Sequence, residues 1–154
     1  MYREFIKFDD KQKFLEDTSF FSVYIPTVGE RLDYKIILES YFKYLNGSCY
    51  TGLILGTHFR VINELLELVD SCIPSVEYKF NRASMKYTFA NNSILYFGVM
   101  DPDKSKDHFQ YVAMNLQFIG IVDYREYKIK QLDYLMCRLR KLKTSSIPLR
   151  YRCI

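Results

Sequence analysis

The chain has 154 residues, 49% hydrophobic and 26% charged, the make-up of one ordinary globular domain rather than a disordered or fibrous chain. No run is long and apolar enough to span a membrane, and the opening Met1-Tyr2-Arg3-Glu4 carries no signal pattern, so a cytoplasmic protein is expected. The net charge of +4 is uneven: between Tyr124 and Arg152 nine bases meet only Glu126 and Asp133, a local +7 that fits nucleic acid, an acidic partner or a solvated helix face.

Apolar spacing then gives the elements in order. Asp10 to Thr18 predicts a short helix, and Phe20 to Ile25, aromatic and β-branched, predicts a buried strand. Leu32 to Leu45 reads as a helix with Ile36, Ile37, Tyr41, Tyr44 and Leu45 on one stripe, stopped by Asn46-Gly47. Tyr50 to Leu55 is a second buried strand. Phe59 to Val69 follows as a helix that Pro74 prevents from continuing. Met85 to Phe89 and Ile94 to Phe97 flank Ala90-Asn91-Asn92-Ser93 as a hairpin. Leu116 to Val122 is the most apolar strand, Ile129 to Leu139 a final helix and Pro148 to Ile154 a last strand. Strands alternating with helices predict an α/β sandwich, mostly parallel, with an inserted antiparallel hairpin, in a single domain over residues 1–154.

Little other chemistry is signalled. The four cysteines, Cys49, Cys72, Cys137 and Cys153, form no closely spaced pair, so no metal or redox site is expected and no cofactor is implied. His58 and His108 have no nucleophile motif near them in sequence. The 14 Tyr and 12 Phe, with no Trp, serve either an aromatic core or an interaction surface.

Several fragments carry a resemblance. Phe8-Asp9-Asp10-Lys11-Gln12-Lys13-Phe14-Leu15 is similar to an adenine-side segment with a Gln before a Phe-Leu pair. Tyr50-Thr51-Gly52-Leu53-Ile54-Leu55 resembles a Y-R-G-L-I-L strand, and Ser93-Ile94-Leu95-Tyr96-Phe97-Gly98 an S-x-I-x-F-G strand. Leu116 to Ile121, Tyr134-Leu135, Arg138-Leu139-Arg140 and Ile147-Pro148-Leu149-Arg150 follow in matching order. Together, from about Asp9 to Arg152, they resemble the ATPase domain of phage large terminases, a P-loop NTPase-like fold.

The departures fall on the chemistry. The family's phosphate loop is of the G-G-x-R-G-x-G-K-S type; here Pro26 to Asp33 stands in its place. The resemblance puts Val28 at the loop arginine, keeps Gly29, and puts Leu32 at the lysine and Asp33 at the Ser/Thr. Side chains resist the backbone geometry of a phosphate nest, and Asp33 adds negative charge beside it. The family's Asp-Glu pair corresponds to Val122 and Asp123. Gln12 is the one residual adenine-side residue.

The resemblance therefore implies a pseudo-ATPase, without the family's coupling segment and nuclease domain, in an infected bacterial host. The expected role is that of an interaction or inhibitor protein of phage, prophage or satellite origin. Its partner would be a packaging component or a host defence factor, engaged through exposed Tyr24, Tyr34, Tyr87, Tyr96 and Tyr124. The alternative is a nucleic-acid-binding module using Arg138, Arg140, Lys141 and Lys143, with salt-sensitive binding. The last strand, if it lies at a sheet edge, predicts self-association.

Overall fold

The computed structural model describes residues 6–26, 33–45, 49–73, 77–104, 115–141 and 147–154. Three of the positions that the resemblance aligns with a phosphate loop, Val28, Gly29 and Leu32, lie outside them, as does Lys143.

Eight strands form one sheet: β1 (Ile6–Phe8), β2 (Phe21–Tyr24), β3 (Thr51–Gly56), β4 (Tyr78–Asn81), β5 (Lys86–Phe89), β6 (Ile94–Val99), β7 (Phe118–Ile121) and β8 (Arg150–Cys153). Their spatial order is β1-β2-β8-β7-β3-β6-β5-β4. The run from β1 to β6 is parallel, and β5 and β4 add an antiparallel ribbon at one side. Strands β2, β7 and β8 are buried at every residue, which explains the largely apolar and aromatic reading of β2 and β7, whereas β8 is buried although two of its four residues are arginines. The hairpin between β5 and β6 turns at Asn92, whose φ of 68° suits an asparagine, while Asn91 accepts the Ser93 N–H at 3.0 Å.

The helices are α1 (Lys11–Glu16), α2 (Lys35–Phe42), α3 (Phe59–Cys72) and α4 (Ile129–Met136). Asp10 caps α1 by accepting the Lys13 N–H at 3.0 Å. Helices α1, α2 and α3 supply one core, through Phe14, Ile36, Ile37, Tyr41, Ile62 and Leu65 among others. Across the sheet, Tyr127, Leu135, Met136 and Leu139, in and around α4, cover Leu53, Leu55, Ile119 and Ile121. This is the three-layer arrangement that the alternating pattern predicts.

Helix α2 sits directly over β3 and β7 because both strands carry a glycine beneath it. A Cβ at Gly52 would stand 2.5 Å from the Tyr41 ring, and one at Gly120 would stand 2.7 Å from Ile37 Cγ1. Close approach of the α2 side chains Tyr41 and Ile37, not turn geometry, explains these two glycines.

Three expectations change. The last strand is not an edge: β8 lies between β2 and β7, so it offers no free ladder for self-association. The true edges are β1 and β4, two short strands that periodicity left unassigned. And the basic end is not uniformly exposed, because Arg150 and Arg152 are each only 1% accessible. Both are interior residues of β8. Arg152 donates to the carbonyls of Ser19 at 2.8 Å, Asp17 at 3.0 Å and Tyr151 at 3.1 Å, and pairs with the Asp17 carboxylate at 3.6 Å. Arg150 lies against the rings of Tyr44, Tyr50 and Phe118 and donates to Ser40 O.

A buried amide sets the layers' relative position. Gln117 accepts the Thr51 N–H at 2.7 Å and donates to Arg140 O at 3.0 Å, tying β3, β7 and the segment after α4.

Candidate functional site

In open α/β sheets, ligands bind outside the carboxyl ends of the parallel strands. Here those ends belong to β2, β8, β7 and β3, and a pocket of about 210 Å³ opens there, lined by Tyr24, Ile25, Pro26, Asp123, Tyr124, Arg125, Glu126 and Ile154.

Val122 is the first residue past β7. Its N–H bonds to Leu55 O at 3.0 Å and its side chain is fully buried in the helix-covered core. An alkyl group there cannot ligate Mg²⁺, which takes oxygen donors. Asp123 follows in the left-handed region, φ 57° and ψ 46°, and its carbonyl accepts the Glu126 N–H at 3.0 Å to open the turn Tyr124–Glu126. Its carboxylate accepts a hydrogen bond from the Tyr34 hydroxyl. Burial and then repulsion from Glu126 push the Asp123 carboxyl above its usual range, against the pull of the Tyr34 hydrogen bond, His58 and Arg60. Burial and the Asp123 charge raise the Tyr34 phenol in turn.

The amino end of α2 is where a phosphate loop would deliver its ligand, because unpaired N–H groups and the helix dipole both favour an anion. That place holds one of the chain's own carboxylates. Asp33 Oδ1 accepts the Lys35 N–H at 3.0 Å, and Asp33 Oδ2 lies 3.4 Å from Lys11 Nζ, which is also 3.9 Å from Glu39. The Lys11 cation beside this helix end is thereby shared between two acids. Gln12 is exposed and donates to Glu16 at 2.8 Å on its own helix.

The five tyrosines separate. Tyr24 and Tyr124 line the pocket, and Tyr34 reaches it through Asp123. Tyr87 and Tyr96 belong to β5 and β6 and line no part of it. Exposure is not what they share: Tyr24 and Tyr87 are each 5% accessible, and Tyr34, Tyr96 and Tyr124 are half-buried. Tyr24 packs on Phe14 at 5.6 Å, and Tyr87 on Phe80 at 4.5 Å. The aromatic richness of the chain is in large part a core property.

At the other end of the fold, Arg138 stacks over Tyr134 at 5.1 Å, and Arg140 folds back to donate to Leu139 O at 3.0 Å and to Cys137 O. Lys141 is exposed. What spacing alone missed is the interior placing of β8: an R-Y-R-C strand hides two arginines because each finds carbonyls or rings to receive it.

No family model matches the chain, and no curated protein matches it in sequence. Its structure is similar to the large terminase of a thermophilic bacteriophage, with a TM-score of 0.60 at 11% identity over 95% of this chain and 38% of that one. Another crystal form of that terminase gives 0.56 at 12% over 93% of this chain and 37% of that one, and its complex with ADP gives 0.53 at 13% over 77% and 29%. The likeness establishes a terminase-like, P-loop-NTPase-like fold. The chain spans well under half the length of these relatives.

Proposed function

We propose that this terminase-like domain is catalytically silent and acts by binding another protein, a phage packaging component or a host defence factor, in a phage, prophage or satellite setting. The observation that carries the reading is Asp33 on the amino end of α2, tied to Lys35 N–H and to Lys11. A triphosphate arriving there would meet the Asp33 carboxylate at the position where the resemblance puts a Ser/Thr, and Coulomb repulsion grows as the site dries. Val122, buried and alkyl, supports the same conclusion from the metal side.

Keeping the sheet, the three-layer core and the close seating of α2 while presenting this charge reversal is consistent with selection on shape. Tyr34 and Tyr124, half-buried beside the pocket, are the contact residues this reading favours, since tyrosines give area and a polar tip together, while Tyr24 is a core residue at the pocket wall. Nucleic acid is less favoured, because two of the nine bases that motivated it are interior.

Titration calorimetry with ATP and Mg²⁺ is expected to show no micromolar binding, and a phosphate-release assay no turnover. Affinity capture from infected cells is expected to return a stoichiometric protein. ATP hydrolysis at a motor-like rate that disappears in Asp123→Ala would overturn the proposal.

A further inference from the structure

The pocket at the carboxyl ends of β2, β7 and β8 carries more negative charge than its own lining neutralises. Two carboxylates, Asp123 and Glu126, line it against one guanidinium, Arg125. Among the described residues neither carboxylate forms an ion pair. Arg125 is exposed, its guanidinium 5.9 Å from the centre of the Tyr124 ring. The cations that favour ionised Asp123 are His58 and Arg60, which stand at the start of α3 and do not line the pocket. Burial and Glu126 outweigh them, so the half-buried Asp123 carboxylate is left short of positive charge. The rest of the lining is apolar or aromatic: Ile25, Pro26 and Ile154, with Tyr24 and Tyr124.

Size and chemistry narrow the ligand. At about 210 Å³ the pocket is smaller than the roughly 300–1,000 Å³ typical of sites for drug-sized molecules, so it suits a group the size of one side chain. A divalent metal matches poorly, since it needs a full shell of oxygen ligands and the described residues include no group of three His, Cys, Asp or Glu placed to hold one. An organic cation meets both demands: its charge offsets the carboxylate, its head attracts tyrosine rings, and its stem covers apolar wall. We propose that this pocket binds a primary ammonium on a short alkyl stem, with the charge beside Asp123 and the stem against Ile25, Pro26 and Ile154. The inference deepens the protein-binding reading and rests on its premise that no nucleotide occupies this end of the sheet. The ammonium belongs either to a free amine or to a lysine of the protein partner.

Titrating the full isotope-labelled chain with butylammonium, at constant ionic strength, tests it through amide chemical shifts. The amides of Ile25, Asp123, Tyr124 and Glu126 are expected to move and to saturate at about 1–10 mM, the range for so small a ligand. Neutral butanol, of similar shape, should bind at least about tenfold more weakly, as should butylammonium to Asp123→Asn. Asparagine accepts the backbone at φ 57°, and a well-dispersed spectrum verifies that this variant is folded. A blocked Ala-Lys-Ala peptide separates the two sources: binding about tenfold tighter than butylammonium assigns the ammonium to a protein partner, and equal or weaker binding assigns it to a free amine. Absent shifts up to about 50 mM, equal binding of butanol, undiminished binding by Asp123→Asn, or the same shifts from Mg²⁺ overturn the inference. Shifts of these amides by ATP with Mg²⁺ would overturn the nucleotide-free premise as well, whereas failure of butylammonium alone leaves that premise standing.

Discussion

Replacing Arg152 by methionine isolates the worth of the buried clamp that joins β8 to the segment between α1 and β2. The guanidinium is 1% accessible, donates to the carbonyls of Asp17, Ser19 and Tyr151 at 2.8 to 3.1 Å, and pairs with the Asp17 carboxylate at 3.6 Å. Methionine fills much of the volume but leaves a carboxylate and several carbonyls without this donor. Breaking a buried pair by removing one partner costs about 3–5 kcal/mol. For a chain of this length each kcal/mol moves Tm by about 2–4 °C, so Arg152→Met should lower Tm by roughly 6–20 °C. Arg150→Met is the control. Arg150 is equally buried on the same strand but has no carboxylate within ion-pair reach among the described residues, and its Nε and Nη2 have no hydrogen-bond partner. Methionine packs well against the three rings that surround it, so that change should cost at most about 1–2 kcal/mol. Thermal unfolding followed by circular dichroism, with calorimetry for the enthalpy, separates the two. Equal losses in both variants, or a neutral Arg152→Met, would refute the assignment of the stability to pairing.

Asp17 supplies the pH side of the same clamp. Although burial alone would raise it, hydrogen bonds from Ser19 and Ser22 and the charge of Arg152 hold its carboxyl below the usual 3.8. A depressed carboxyl stabilises above its unfolded value and loses that contribution as pH falls through the folded one, so a melt series should show loss below about pH 4 that Asp17→Asn flattens. Asp123 has the opposite sign: its carboxyl is raised, so its charge opposes folding at neutral pH and the penalty fades as pH drops. Asp123→Asn also suits φ 57°, and should raise Tm at pH 7 by about 1–3 °C with the gain vanishing in acid. Gly120→Ala drives a Cβ to 2.7 Å from Ile37 Cγ1 and should cost about 1–3 kcal/mol, read as a lower urea midpoint. Gln117→Leu keeps the volume but strands the Thr51 N–H and Arg140 O, a loss of about 2–3 kcal/mol in the same assay.

Most elements were legible because they are local statements. Apolar spacing at Ile62, Leu65 and Val69 marks α3 whatever covers it, and the β-branched and aromatic runs ending at Tyr24 and Ile121 can only be buried strands. Strands β1 and β4 were not legible. Both are short edge strands with exposed residues, so neither alternation nor a continuous apolar run distinguishes them from loop. At the site, the residue types at Asp33, Val122 and Asp123 could be read directly. What they touch could not be, because the Asp33–Lys11 pair and the Tyr34–Asp123 contact join segments far apart in the chain.

Local apolar periodicity sets the alternation of strands and helices, and with it a mostly parallel sheet covered on both faces. Tertiary structure alone decided the strand order that puts β8 between β2 and β7, and with it the fate of Arg150 and Arg152. Secondary structure follows from periodicity within a dozen residues, whereas the environment of a charged side chain depends on which distant carbonyls and rings surround it. An arginine in a strand reads as surface until the sheet closes over it on both sides.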